Sequence, residues 1–217
     1  KESNNKHFPT PKDTEYGPSF TNKKLSDNDI PTLLKKLQQQ PHSKVLFLAK
    51  NNITDIGLEQ LAKQLKNNNQ IKHLILSQNN ICINEFCKAA IMDLLKVNHY
   101  IGWLVLNGNN IDDIGAENLS DALADNKSLI HLVLSDNKIT DKGLEALLKK
   151  LKNHPKLQSV FIDNNQLSAE SLPKLEEFIK NSQTIKTLSI KKIHIKHPSQ
   201  LSALRVLCSQ KNIRLHV

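Results

Sequence analysis

Leu132-Val133-Leu134-Ser135-Asp136-Asn137-Lys138-Ile139 is the stretch on which the fold turns. Its Leu-x-Leu alternation predicts a short strand, with Leu132 and Leu134 on one face and Val133 on the other. The same pattern stands at 46–53, 74–81, 104–111 and 160–167, and in a sixth copy at 188–195 that has lost its Asn. Counted from Asn51, the copies recur after 28, 30, 28, 28 and 28 residues. A fixed period of a few tens of residues marks a stack of strand–helix units, each burying its apolar face against its neighbours.

Between the strands the apolar period changes to three and four. Leu58, Leu61 and Leu65 follow it, as do Ala116, Leu119 and Leu123, and Leu144, Leu147, Leu148 and Leu151. These segments predict helices, with Asp55, Asp113 and Asp141 as N-caps or first-turn acids. Strands stack at ~4.8 Å and helices at ~8–10 Å, so the stack must bend with its strands inside. The conserved-register Asn faces inward, where it can satisfy loop backbone groups that water cannot reach. Two extra residues fall within Cys82–Tyr100, near the helix of the second repeat.

The pattern L-x-L-x-x-N-x-I/L at this period resembles the leucine-rich repeat. Helical halves such as Thr54–Leu61 and Thr140–Leu147 resemble the ribonuclease-inhibitor-like subclass, over about residues 25–217. The Lys-, Asn- and Ile-rich usage is similar to that of leucine-rich-repeat effectors of intracellular bacteria such as Legionella. The resemblance implies an α/β leucine-rich-repeat solenoid, a horseshoe with a parallel β-sheet on the concave face and α-helices on the convex face. It also implies a protein-binding module whose partner is a host protein or another bacterial effector enzyme. Ribonuclease as a target is not carried over, because this chain has one repeat type and three Cys.

The ends read as caps, since a terminal repeat lacks a neighbour. Counting back one period makes Leu25–Gln40 the helical half of an incomplete first repeat, with Asp29 and Pro31 as start and Pro41 as stop. Residues 1–18 show no register and are expected to be flexible, followed by a cap over about 19–42, repeats over about 43–196 and a C-terminal cap over about 197–217. The last cap comprises a helix over Ser199–Ser209 and an edge strand over Ile213–Val217, on which Arg214 and His216 discourage further pairing.

The concave face can be read by columns. One contains Phe47, Ile75, Val105, Val133 and Phe161, then Ser189; the next contains Val45, His73, Trp103, His131, Ser159 and Thr187. The first column is expected to be an exposed apolar stripe with the lone Trp beside its middle, and such stripes mark interfaces. Lys50, Asp136 and Asp163 are expected to orient a partner from the flanks. The predicted partner-binding set is therefore Phe47, Lys50, His73, Ile75, Trp103, Val105, His131, Val133, Asp136, Phe161 and Asp163.

The formal charge is +9, of which residues 1–24 carry +2 and residues 185–217 carry +7 with no acid, which leaves 25–184 neutral. Nucleic-acid readers usually carry Arg-rich stripes and stacking aromatics; this chain has two Arg and 4% aromatics. His73 and His131 stand two strands apart, too far to share a metal, and His194 with His197 lacks a third ligand. His131, Ser159 and Asp163 fall on neighbouring strands, but an open sheet supplies neither an oxyanion hole nor a water-excluding pocket. The expectation is a non-enzymatic module needing no cofactor or metal. No apolar run spans a membrane, and the odd Cys count fits an intracellular, cytoplasmic setting, including the cytosol of a host cell. The leading function is an inhibitor or regulator that grips a folded protein. The alternatives are a non-inhibitory scaffold or adaptor, and a basic-end binder of anionic surfaces or nucleic acid.

Overall fold

The computed structural model describes Gly17 and residues 19–217. Each repeat contributes one three-residue strand: β1 Val45–Phe47, β2 His73–Ile75, β3 Trp103–Val105, β4 His131–Val133, β5 Ser159–Phe161, β6 Thr187–Ser189 and β7 Arg214–His216. They form one parallel sheet in sequence order, paired residue for residue, so Leu46, Leu74, Leu104, Leu132, Val160, Leu188 and Leu215 form a single row. The helices α1 Ile30–Gln38, α2 Asp55–Leu65, α3 Glu85–Val97, α4 Asp113–Leu123, α5 Asp141–Leu151, α6 Leu172–Asn181 and α7 Ser202–Gln210 pack in turn on the other side. The result is the expected horseshoe, an α/β solenoid with its sheet on the concave face. The flexible segment expected over residues 1–18 lies outside the described residues, except at Gly17.

The core is one continuous column of Leu and Ile from Ile30 to Ile213, closed by sheet on one side and helices on the other. It is tightly filled: the gap lined by Leu58, Leu74, Ile91 and Leu104 amounts to about 10 Å³, too little for a ligand. At the N-terminal end Phe20 and Asn22 donate backbone N–H groups to Phe47 and Ala49, so residues 19–22 cover the open edge of β1. α1 starts at a 3₁₀ turn over Asp27–Asp29 with Pro31 in its first turn, as its sequence predicts.

Three polar ladders tie the repeats together. In the first, Asn137 donates from Nδ2 to the carbonyls of Leu106 and Leu134, while its Oδ1 accepts from Ile111 N at 3.0 Å. Asn51, Asn79, Asn109 and Asn165 repeat this bridge between successive turns. The residue before each Asn (Lys50, Gln78, Gly108, Asp136 and Asn164) has φ between 50° and 71°, in the left-handed region. Only Gly108 takes this conformation without steric cost.

The second ladder decides between the two roles expected of Asp55, Asp113 and Asp141: all three stand in the first turns of their helices. Asp55, Asp113 and Asp141 do not cap their own helices. Their N-cap positions are Thr54, Asp112 and Thr140, of which Thr54 and Asp112 accept a first-turn N–H, and each Asp reaches forward to the next repeat. Asp113 accepts from Thr140 N at 2.8 Å and Thr140 Oγ1 at 2.5 Å, and Asp55 accepts from Cys82, Ile83 and Asn84 N. Gly143 permits the close approach: a Cβ there would lie 2.4 Å from Asp113 Oδ1. Burial works against ionisation of Asp141, but bonds from Ser168 and Ser171 outweigh it and hold its carboxyl below the ordinary value.

The third ladder stands at the helix exits. Asn98 and Asn126 accept from the backbone N–H groups of the following turn and donate back to the preceding repeat. His154 takes the next place: Nδ1 accepts from Leu157 N at 3.1 Å and Nε2 meets Asn126 Oδ1 at 3.1 Å. That arrangement needs a neutral ring, and burial lowers its pKa accordingly. The two extra residues of the second repeat lie in the turn into α3, where Ile83 sits at φ 57° and α3 starts two positions late.

Candidate functional site

Strand alternation puts the two outward columns where the sequence predicts, on the concave side of the sheet. Their exposure is different. Phe47, Ile75, Val105 and Val133 are 4–6% exposed and, with Val45, form an apolar cluster separate from the core; Ala49 and Phe161 pack at its margin. The expected exposed stripe is therefore corrected: in-register strands ~4.8 Å apart bring these side chains into mutual contact, and curvature closes the gaps. Phe47, Ile75, Val105 and Val133 line the hollow, but as packing within the sheet face. Phe161 is half-buried.

The neighbouring column is more accessible. His73, Trp103 and His131 are half-buried and form an aromatic ladder. The His73 ring stacks on Trp103 with centroids 4.5 Å apart and 14° between planes; His131 meets the other side edge-on at 4.2 Å and 63°. In such a stack the rings are worth about 1 kcal/mol each beyond area burial. Both imidazoles are pushed down to about 4, His73 by burial, then by His131 and Lys72, and His131 by burial. At neutral pH the ladder is uncharged. Trp103 stands between the two His, so they do not converge on a shared point.

The flanking residues divide. Lys50 is exposed in its left-handed turn. Asp136 accepts from Asn164 Nδ2 at 2.5 Å, and Asp163 accepts from Ser189 Oγ at 2.5 Å and Lys191 N at 2.7 Å. Asp163 thus braces the turn after β6 and does not orient His131, so His131, Ser159 and Asp163 form no relay. Burial pushes the Cys87 thiol up to about 12 and raises Cys82 and Cys208 as well, which makes all three poor nucleophiles at neutral pH. Among the described residues no cluster of three or more metal-ligating side chains occurs, and no helix is long and apolar enough to cross a membrane.

Beyond His131 the same column continues through Ser159 and Thr187 to Arg214. These residues and Lys186 line an open depression of about 630 Å³. Arg214 and Lys186 were not singled out as site residues from the sequence. The signal was there: one further period from Thr187 arrives beside Arg214, but a last step of 27 residues breaks the register.

A family model described as "Leucine Rich repeat" matches residues 98–120 and 125–148. Leucine-rich repeat-containing protein 45 of Gallus gallus is 33% identical over 99 residues, which is 46% of this chain and 15% of that protein. The chain thus spans a small part of that relative's length. Among solved structures, Leiomodin-1 Actin-Binding Site 2 is similar with a TM-score of 0.57 at 18% identity, covering 70% of this chain and 87% of that one. The repeat register and the seven-stranded parallel sheet are those of a leucine-rich-repeat solenoid, and the family model finds the repeat itself over residues 98–120 and 125–148.

Proposed function

We propose that this protein binds a folded protein partner on its concave face and thereby blocks or regulates it, as an inhibitor of an enzyme or effector. One observation carries the reading: Trp103, on the third of the seven strands, faces the hollow at the middle of the aromatic ladder, held between His73 and His131, all three half-buried. A rigid, partly desolvated aromatic at the centre of a face is the usual form of an energetic anchor. His73 and His131 keep the ring from rotating, so little side-chain entropy is lost on docking. The partner-binding set narrows accordingly to His73, Trp103, His131 and Phe161, with Lys50, Asp136 and Asp163 at the margins. Phe47, Ile75, Val105 and Val133 act beneath it as the floor. The resemblance to ribonuclease-inhibitor-like arcs supports blocking over mere tethering. The similar leiomodin-1 structure is named for actin binding, but at 18% identity the likeness carries the fold alone, and actin is not carried over.

A photo-cross-linker at Ser77, half-buried two residues beyond the end of β2, would capture the partner, and calorimetric titration would then compare wild type with Trp103→Ala. The expected loss is at least ~2 kcal/mol, about thirtyfold in affinity. Unchanged affinity in a folded Trp103→Ala protein removes the ladder from the site. An activity assay on the partner, with and without this protein, separates an inhibitor from an adaptor.

A further inference from the structure

The concave face changes character along the arc. From β1 to β4 its outward positions are apolar or aromatic. From β5 to β7 they are Ser159 and Phe161, then Thr187, Ser189, Arg214 and His216, with Lys186 at the rim just before β6, so that past Phe161 no large apolar side chain follows. Lys186 and Arg214 are both exposed, and among the described residues neither has a carboxylate within 4.0 Å. Lys211, on the same rim, is engaged: its Nζ donates to the carbonyls of Ile179, Lys180 and Ser182 and closes the end of α6. The one acid of this half of the face, Asp163, sits at the opposite rim and is satisfied by Ser189 and Lys191 N. The whole segment 185–217 contains seven basic residues and no acidic one. The depression around Lys186 and Arg214 is thus a cationic hollow adjoining an aromatic ladder.

We propose that the hollow around Lys186 and Arg214 receives the carboxylates of an acidic protein segment whose apolar residue contacts the His73–Trp103–His131 ladder. The proposal rests on the concave-face reading above and names the kind of partner that fits it. Geometry sets the spacing. Trp103 and Arg214 lie four strands apart, ~19 Å at ~4.8 Å per strand, and an extended segment covers that span with about six residues. The Arg214 guanidinium can grip a carboxylate with two parallel bonds, and Lys186 adds a point charge beside it. Ser159 and Thr187 between them supply hydroxyls but no charge. A nucleic acid fits less well. Its recognition relies on aromatic faces open to bases beside the cations, whereas the Trp103 ring is flanked by His73 and His131, and the one aromatic ring lining the depression, His131, is engaged edge-on by Trp103.

The test is fluorescence anisotropy at low salt with three labelled probes. The first is a peptide bearing Leu-Phe, a six-residue Gly-Ser spacer and four Glu; the second has Gln for Glu; the third is single-stranded oligo-dT. The proteins are wild type, Lys186→Glu/Arg214→Glu, Trp103→Ala, and Lys35→Glu/Lys36→Glu as a convex-side control with the same charge change. The acidic peptide should bind wild type and the control equally. It should bind Lys186→Glu/Arg214→Glu roughly tenfold more weakly, as two lost and inverted ion pairs imply. The Gln peptide should bind wild type more weakly by a similar factor. Equal binding of the Glu and Gln peptides, an equal loss in the control, tighter binding of oligo-dT, or no binding of the acidic peptide at millimolar protein each overturns the proposal. Loss in Trp103→Ala without loss in Lys186→Glu/Arg214→Glu overturns it while leaving the concave-face reading intact.

Discussion

The two halves of the arc share an interior and differ on the concave surface. From β1 to β4 the outward positions carry a buried apolar cluster and an aromatic ladder; past Phe161, the last large apolar side chain, β5 to β7 carry hydroxyls, Arg214 and His216, with Lys186 at the rim. Behind the sheet nothing comparable changes. Asn51 and Asn165, at opposite ends of the ladder, make the same bonds to the turns around them. Stacking constrains what faces the core, because every repeat must present the same groups to the next. It leaves the outward positions free, so the chemical individuality of this protein lies there. Even the rim cations follow the division: Lys44 and Lys72 lie over the Tyr100 ring at 6.0 and 5.4 Å, whereas Lys186 faces the open depression.

The sharpest way to break the comparison uses one column and two Phe. Phe47 is 6% exposed within the apolar cluster, and Phe161 lies half-buried where the polar half begins. Phe47→Ala should cost about 3 kcal/mol of folding stability in urea denaturation, the low end for a buried aromatic. A cost below about 1 kcal/mol would mean that the cluster is surface and not packing. Next comes the shared interior. Asn109→Ala removes the acceptor of the Asn79 and Ile81 N–H groups and one of the two Asn donors to the Leu76 and Leu106 carbonyls, and Asn137→Ala removes the acceptor of the Ile111 N–H and one of the two Asn donors to the Leu106 and Leu134 carbonyls; each should cost about 1–3 kcal/mol. Asn165→Ala, in the other half, should cost the same within about 1 kcal/mol. A much smaller cost at Asn165 would show that the interior also differs between the halves.

The strands, their register and the Asn ladder were legible in the sequence, because each rests on a residue type that recurs at a fixed period. What was not legible depends on contacts between repeats. The forward reach of Asp113 to Thr140 cannot be distinguished from a local cap by spacing alone, since an acid in the first turn suits both roles. His154 was hidden because it replaces Asn in a ladder whose other members vary in type, Asn68, Asn98, Asn126 and then Ser182, whose Oγ accepts from Ile185 N; aligning the helix exits by period would have revealed it. The left-handed turns at Lys50, Gln78, Asp136 and Asn164 were masked because Gly occurs at that position only in the third copy. For the site, alternation told which side chains point outward but not how closely adjacent strands pack them. That is why the column of Phe47 and Val105 was placed correctly and its exposure misjudged.

Protonation tests the ladder half alone. The folded pKa of His73 and of His131, about 4, lies below the ordinary value of 6.5, so the unfolded chain binds more protons between those limits. Their contribution is complete above about pH 6.5 and is lost as pH falls toward 4. The expected loss for the pair between pH 7 and pH 5 is about 2 kcal/mol, after allowance for their partial exposure and mutual repulsion. His73→Gln/His131→Gln should flatten that part of the stability profile, and what remains should follow His154, whose buried ring must also stay neutral. A slope unchanged in the double variant would assign the acid sensitivity to His154 and the helix-exit ladder.

The smallest expected effect sharpens the boundary between the halves. Phe161 stands one strand beyond Val133, where the apolar cluster gives way to Ser189, and it is the last large apolar side chain of its column. A contact at the edge of an interface is reached by water in the complex and contributes less than a central anchor. Phe161→Ala should therefore weaken the partner by about 1 kcal/mol, against at least ~2 kcal/mol for Trp103→Ala, in the same calorimetric titration. The ranking matters more than either value. If Phe161→Ala costs more than Trp103→Ala, the partner is centred on the polar half, and the aromatic ladder serves the stability of the sheet face instead of its recognition.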